Sequence, residues 1–334
     1  MADVRGRVLL AAQAAMTFGI PVAGLAQTHM NPVVDLLAAR KPAFGLYAPS
    51  NRRGGRGAPP LPADSMKTPA QLALDALGNA TADYVFDGSM EGNYDGAFPV
   101  FSQFAQGMFA GGALVKLPVR RLPHPLFVKT PEIAPDPAKA ADRIARQLNL
   151  GVSGIVFVGV ESADEVKQGL AMMRPKSMGG TRPDDVGGAP AAWGMTAAEY
   201  ANKADVWPLN PNGELVNFTI VESKVGLAHV RDIAAVKGIG VLFPGAGTLR
   251  GVFSTTDSTG KRVLDEAGWE GAIQQVLAAC KEFNVPCGYP STATDIELRM
   301  KQGFSVFVIN WGDAGFKAVD IGRRVAGREP TNGQ

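Results

Sequence analysis

The feature that most constrains this chain is an eightfold alternation of short apolar, β-branched runs with amphipathic stretches. Strand-like runs fall at residues 44–48, 84–86, 126–128, 154–160, 216–221, 238–243, 285–287 and 305–309. Helix-like stretches lie between them at 69–77, 98–108, 138–148, 163–173, 225–235, 269–283, 293–301 and 314–325. A strand covered on both faces reads as a continuous apolar run, as these do. Eight such repeats in about 300 residues suit a closed (β/α)8 TIM barrel better than an open sheet. The competing fold, a doubly wound sheet, would place a glycine-rich GxGxxG turn after its first strand, and none follows residues 44–48.

One barrel is therefore expected over residues 31–327, entered by a short helix at 31–40 with Asn31 as its cap. The 46% hydrophobic content is enough to fill a core of that size. The net charge of +2 comes from scattered basic residues, which sets nucleic acid aside as a partner.

Two segments interrupt the alternation. Residues 51–63 (NRRGGRGAPPLPA) are arginine-rich and read either as a solvated flexible loop or as a lure for an acidic substrate or partner. Residues 175–213 carry Trp193, Tyr200 and Trp207, which favours an ordered insertion that covers the barrel or meets another subunit.

The N-terminus has Arg5 and Arg7, an apolar run over 8–25, and small residues before Gln27. This is the order of a secretory signal peptide over residues 1–26, which predicts a periplasmic or secreted protein; a retained N-terminal helix and a cytoplasmic protein are the alternative. The apolar run is too short for a stable membrane span. Cys280 and Cys287 lack the spacing of a zinc or redox motif and read as two buried thiols, with a disulfide open to them in an oxidising compartment.

In a barrel of this kind the chemistry lies at the C-terminal ends of the strands. Those ends carry Asp87 and Glu91 after strand two, Lys129 after strand three, Glu222 after strand five, and the small-residue loop Gly245-Ala246-Gly247-Thr248 after strand six. Carboxylates suit a hard divalent cation, a lysine suits an anionic substrate, and backbone N–H groups of a small-residue loop suit a carboxylate. His29, His124 and His229 lie outside these positions and read as structural.

In order along the chain, AARKPAFGL (38–46), DYVFDGSME (83–91), LFVKTPE (126–132), VESKVGLAHVRDIAAV (221–236) and VLFPGAGTL (241–249) resemble the 4-hydroxy-2-oxoheptanedioate aldolase and citrate lyase β-subunit (HpcH/HpaI) superfamily. The likeness runs over about residues 31–324. It implies a phosphoenolpyruvate/pyruvate-type barrel, a divalent metal (Mg, Mn or Co) held in part by Glu222, a homo-oligomer, and a small-molecule substrate. It also exposes departures. Thr248 stands where the family has a second acidic ligand, and Lys129 where it has a substrate-binding arginine. Ser89, Met90 and Glu91 follow Asp87 where the family has a catalytic histidine, and Ile220 replaces a glutamine.

Three functions follow as expectations. The first is a carbon–carbon lyase on a 2-oxo acid or related β-hydroxy carbonyl compound, working through a metal-stabilised enolate. In it Glu222 holds the metal, Lys129 and residues 245–248 hold the substrate, and Asp87, Glu91 or Lys129 serves the chemistry. The second is a metal-independent lyase or hydratase on an aromatic compound. The third is a ligand-binding protein without catalysis on the same scaffold.

Overall fold

The computed structural model describes residues 29–51, 61–116 and 120–328. Residues 1–26, read as a signal peptide, and most of the arginine-rich loop lie outside them.

Eight parallel strands form the barrel: β1 (Ala43–Tyr47), β2 (Tyr84–Asp87), β3 (Leu126–Lys129), β4 (Gly154–Phe157), β5 (Leu215–Val221), β6 (Val241–Pro244), β7 (Gly288–Pro290) and β8 (Val306–Ile309). They pair in the ring order β7-β8-β1-β2-β3-β4-β5-β6. Closure between β6 and β7 rests on one parallel bridge, Leu242 with Cys287, in which Leu242 N–H donates to the Pro286 carbonyl at 3.0 Å. The fold is thus the (β/α)8 barrel that the alternation predicts. Strand seven sits later than the run at 285–287: the chain first turns through Asn284, at φ 58°, and residues 285–287 form the approach.

The pleat divides two apolar layers. Outward residues such as Leu46, Val85, Val128, Ile155 and Ile309 pack under the helices. Inward residues, Tyr84, Phe86, Phe127, Val156, Phe218, Ile220, Phe243 and Val308 among them, fill the barrel. The interior is packed by setting rings over glycines. A Cβ on Gly45 would sit 2.1 Å from the Tyr84 ring, one on Gly154 2.4 Å from Phe127, and one on Gly288 2.1 Å from Phe243. Phe127 and Phe218 stack with centroids 4.6 Å apart. Such interdigitation leaves no pore through the middle.

The N-terminal mouth is plugged by helix Pro32–Ala38, which buries Val33, Val34 and Leu37 against the barrel interior. Asn31 caps it as expected, its side chain accepting from Val33 N–H. Helices Pro69–Leu77 and Ala163–Met173 have the expected bounds and are capped by Thr68, with Gln71 in a capping box, and by Ser162. The stretch at 225–235 instead splits into Lys224–Ala228 and Val230–Ala234 at His229.

The insertion at 175–213 is ordered, with Trp193 and Tyr200 fully buried. It does not cover the C-terminal rim. Trp193 Nε1 donates to the Gly151 carbonyl, just before β4, and Val206–Trp207 pairs with the start of β5. Its aromatics therefore seal the N-terminal side. An antiparallel hairpin, Ser254–Thr256 with Arg262–Leu264, follows strand six and was not apparent from its polar, glycine-containing sequence. Cys280 and Cys287 are joined as a buried disulfide with a Cα–Cα separation of 5.6 Å, which corrects the reading of two separate thiols. The C-terminal helix, Asp313–Val325, turns Gly315, Ala318, Val319 and Gly322 into the core. Among the described residues no helix is long and apolar enough to cross a membrane.

Candidate active site

A cavity of about 440 Å³ opens at the C-terminal mouth. Phe86, Val156, Ile220, Phe243 and Val308, the last inward residues of their strands, form its apolar floor. The polar groups on its wall are Tyr47, Glu91, Lys129, Glu222 and Thr248.

Lys129 ends β3 pointing inward, as the parity of Phe127 requires. Its backbone is pinned by buried Gln147, whose Nε2 donates to the Lys129 carbonyl at 2.9 Å. Its Nζ donates to Glu91 Oε1 at 3.0 Å, and the two side chains are 13% and 17% exposed. An ion pair this far out of water is screened little by salt. Glu91 reaches Lys129 because residues 88–91 turn over the end of β2. That turn also buries Met90, which accepts a hydrogen bond at Sδ from the same Gln147 amide.

Asp87 organises that turn: its Oδ1 accepts from Ser89 N–H at 2.9 Å and Ser89 Oγ at 2.6 Å. It does not line the cavity, since Tyr84 and Phe86 take the inward positions of β2 and leave Asp87 on the other face. The structure therefore separates Asp87 from the catalytic group expected of it. Burial pushes its carboxyl up, against the lowering effect of the two Ser89 hydrogen bonds.

Glu222 follows β5 on the inward face. Its Oε1 accepts from Gly159 N–H at 2.9 Å. Its other oxygen lies beside Gly245, where a Cβ would come within 2.7 Å of it. Glycine at 245 is thus a space requirement of this carboxylate. Residues 245–248 are not an open loop: Ala246–Val252 is helical, with Gly245 N–H donating to the Val221 carbonyl. All four line the cavity, with Gly247 and Thr248 exposed at its rim.

The four strand ends thus bring together Glu91, Lys129, Glu222 and residues 245–248 and leave out Asp87. Residue-type reasoning missed Tyr47, Gln147 and Gly159. Only Tyr47, a polar aromatic closing an apolar strand, carried a signal in the sequence. His124 and His229 serve the scaffold: His124 Nε2 is 2.9 Å from the Asn79 carbonyl with its pKa lowered by burial, and His229 Nδ1 is 2.9 Å from the Glu161 carbonyl.

The sequence profile of the HpcH/HpaI aldolase/citrate lyase family matches residues 112–308, more than half of the chain. The chain belongs to the HpcH/HpaI aldolase/citrate lyase family. It is 25% identical over 261 residues to the hydroxypyruvate/pyruvate aldolase of Paraburkholderia phytofirmans, covering 78% of this chain and 83% of that one. An HpcH/HpaI aldolase/citrate lyase family protein from Burkholderia cenocepacia superposes with a TM-score of 0.60 at 21% identity, over 84% of this chain and 92% of that one. The HpcH/HpaI aldolase of Desulfitobacterium hafniense gives 0.59 at 14% identity, over 90% and 98%. The family establishes an enzyme of aldolase/lyase type acting on carbon–carbon bonds of small molecules.

A divalent cation is the cofactor the resemblance implies, so the donors matter. Glu222 offers one carboxylate oxygen beyond the one taken by Gly159. Thr248 offers a neutral hydroxyl, and Glu91 is engaged by Lys129. Among the described residues no group of three His, Cys, Asp or Glu side chains could hold a metal ion. Hard cations of this kind want six or more oxygens with carboxylates among them. An ammonium on the wall of the same cavity further disfavours a second cation. Of the cavity-lining residues, Glu222 would hold such a cation, with Thr248 a neutral hydroxyl where a second carboxylate would strengthen the site.

Proposed function

We propose that this protein is an aldolase-type lyase that cleaves, or in reverse forms, the C3–C4 bond of a 4-hydroxy-2-oxo acid. The observation that carries the reading is the Lys129–Glu91 pair set in an apolar-floored cavity at the C-terminal mouth. Lys129 supplies the cationic group that receives the oxo end of an anionic substrate. Glu91 moves the proton between the C4 hydroxyl and C3, the task that falls elsewhere in the superfamily to a histidine. Val156, Ile220, Phe243 and Val308 keep water from beneath the reacting carbons. The similarity to a hydroxypyruvate/pyruvate aldolase supports pyruvate or a close analogue as the three-carbon half. The aromatic walls, Tyr47, Phe86 and Phe243, favour an apolar or aromatic aldehyde as the other half.

Pyruvate release from a panel of aliphatic and aromatic 4-hydroxy-2-oxo acids tests this. Release is expected, fastest for the aromatic members. No cleavage or condensation with any member, together with saturable pyruvate binding by calorimetry, would make the protein a binder and end the proposal.

Two wider features belong to the same reading. The buried disulfide supports export to an oxidising compartment, which a mature N-terminus at or near Gln27 would bear out. A homo-oligomer is expected, and light scattering of the purified protein reads it directly.

A further inference from the structure

We propose that Gln147 is a positioning residue: one buried amide that fixes both Lys129 and the turn carrying Glu91, and so sets the geometry of the ion pair. The inference rests on the aldolase reading above and adds to it a residue outside the cavity.

Gln147 breaks the pattern of its own helix. Helix Pro137–Leu148 otherwise buries Ala140, Ile144, Ala145 and Leu148, an apolar face. Gln147 is fully buried in that face, and its Oε1 has no hydrogen-bond partner among the described residues. A buried amide oxygen without a donor is costly, and a leucine would fill the same place without that cost. A residue that breaks the local rule is expected where it serves a site.

The gain lies at the other end of the amide. Nε2 donates to the Lys129 carbonyl at 2.9 Å and to Met90 Sδ at 3.5 Å. Met90 is fully buried and immediately precedes Glu91, so its side chain anchors the turn over the end of β2. One side chain therefore ties two strand ends that lie 18 and 57 positions from it. The amide has a single useful orientation, because a carbonyl oxygen and a thioether sulfur both accept and neither donates. Lys129 and Glu91 are long side chains, and their 3.0 Å contact depends on where their backbones start. A shift of about 1 Å at a reacting group can cost about 100-fold in rate.

The test uses the full chain with Gln147→Leu, and Gln147→Met as a second variant. Circular dichroism and the denaturant midpoint are expected near wild type, since the change removes an unpartnered oxygen and deprives one carbonyl of this donor. With a 4-hydroxy-2-oxo acid as substrate, kcat should fall about 10- to 100-fold while KM changes little, because the lining of the cavity is intact. A second measurement needs no activity. Limited acetylation by acetic anhydride, read by peptide mass spectrometry against exposed Lys167, should mark Lys129 several-fold faster in the variant, because Glu91 no longer holds its ammonium. The two readings must move together. Wild-type values of both, or a change in only one of them, in a folded variant would overturn the positioning role and leave the lyase reading intact. A fall in kcat matched by a lower midpoint, with labelling unchanged, would make Gln147 merely structural, as would failure of both variants to fold. Should the wild-type protein cleave no substrate, the lyase reading fails, and the labelling rate alone decides whether Gln147 sets the pair.

Discussion

The two mouths of the barrel handle buried charge in opposite ways. At the N-terminal mouth each carboxylate is surrounded. Asp83 accepts from Phe44 N–H and pairs with both Arg323 and Arg328. Glu214 accepts from the N–H groups of Met30 and Asn31 and lies near His29 and Lys203. At the C-terminal mouth Glu222 has a single backbone donor shown, and Lys129 faces a cavity with one carboxylate beside it. Saturated charge holds elements in register. Charge facing a void is available to a substrate.

The largest effect should come from breaking the saturated end. Asp83→Ala leaves two arginines without their shared partner and should cost about 3–5 kcal/mol, read as a lower denaturant midpoint. The opposite end should respond in rate instead. Glu91→Gln is expected to lower kcat about 100-fold, roughly 2.7 kcal/mol of barrier, with a loss of stability clearly smaller than that of Asp83→Ala because the amide keeps a hydrogen bond to Lys129. A stability loss as large as that of Asp83→Ala would erase the distinction between the mouths. Replacing both Cys280 and Cys287 by Ala should cost about 2 kcal/mol, seen as a lower Tm, because it frees a short loop in the unfolded chain.

The smallest effect tests a carboxylate of intermediate character. Glu165 is 5% exposed, its Oε1 has no partner, and Glu132 and Glu161 lie nearby. Burial raises its carboxyl above the ordinary value, and the two neighbours add to the rise. A raised acid favours folding below its unfolded pKa, and that contribution is lost as pH climbs through the folded value. Glu165→Gln should therefore stabilise the protein by about 1 kcal/mol at pH 7 and by nothing near pH 3. Equal effects at both pH values would show that packing, not ionisation, governs the site.

The fold was legible because its signals are local. Thr68, Ser162 and Asn31 are caps whose partners lie within three residues. Helix Tyr94–Ala110 begins upstream of the stretch at 98–108 because Asn93 caps it, its side chain accepting from Gly96 N–H. The site was half legible. Strand ends pointed to Lys129 and Glu222, but only the register of β2 shows that Asp87 faces away while Glu91, four residues on, swings back over the mouth. The contact between Glu91 and Lys129 spans 38 positions, and no periodicity encodes it. Gln147 and Gly159 act through an amide and a backbone N–H that have no sequence signature.

The seam between β6 and β7 has a consequence for how the barrel breathes. Cys287 is the residue bridged to Leu242, and Cys280 Sγ rests 3.8 Å from the Leu242 carbonyl, so the disulfide ties helix Glu266–Phe283 to Cys287 beside the thinnest part of the ring. A cylinder sewn along most of its circumference but tacked at one point unzips there first. Reduction of the disulfide would loosen Cys287 beside that tack, and the amides of Leu242 and its neighbours should then exchange with deuterium ahead of those on the far side, such as Val85 and Phe127.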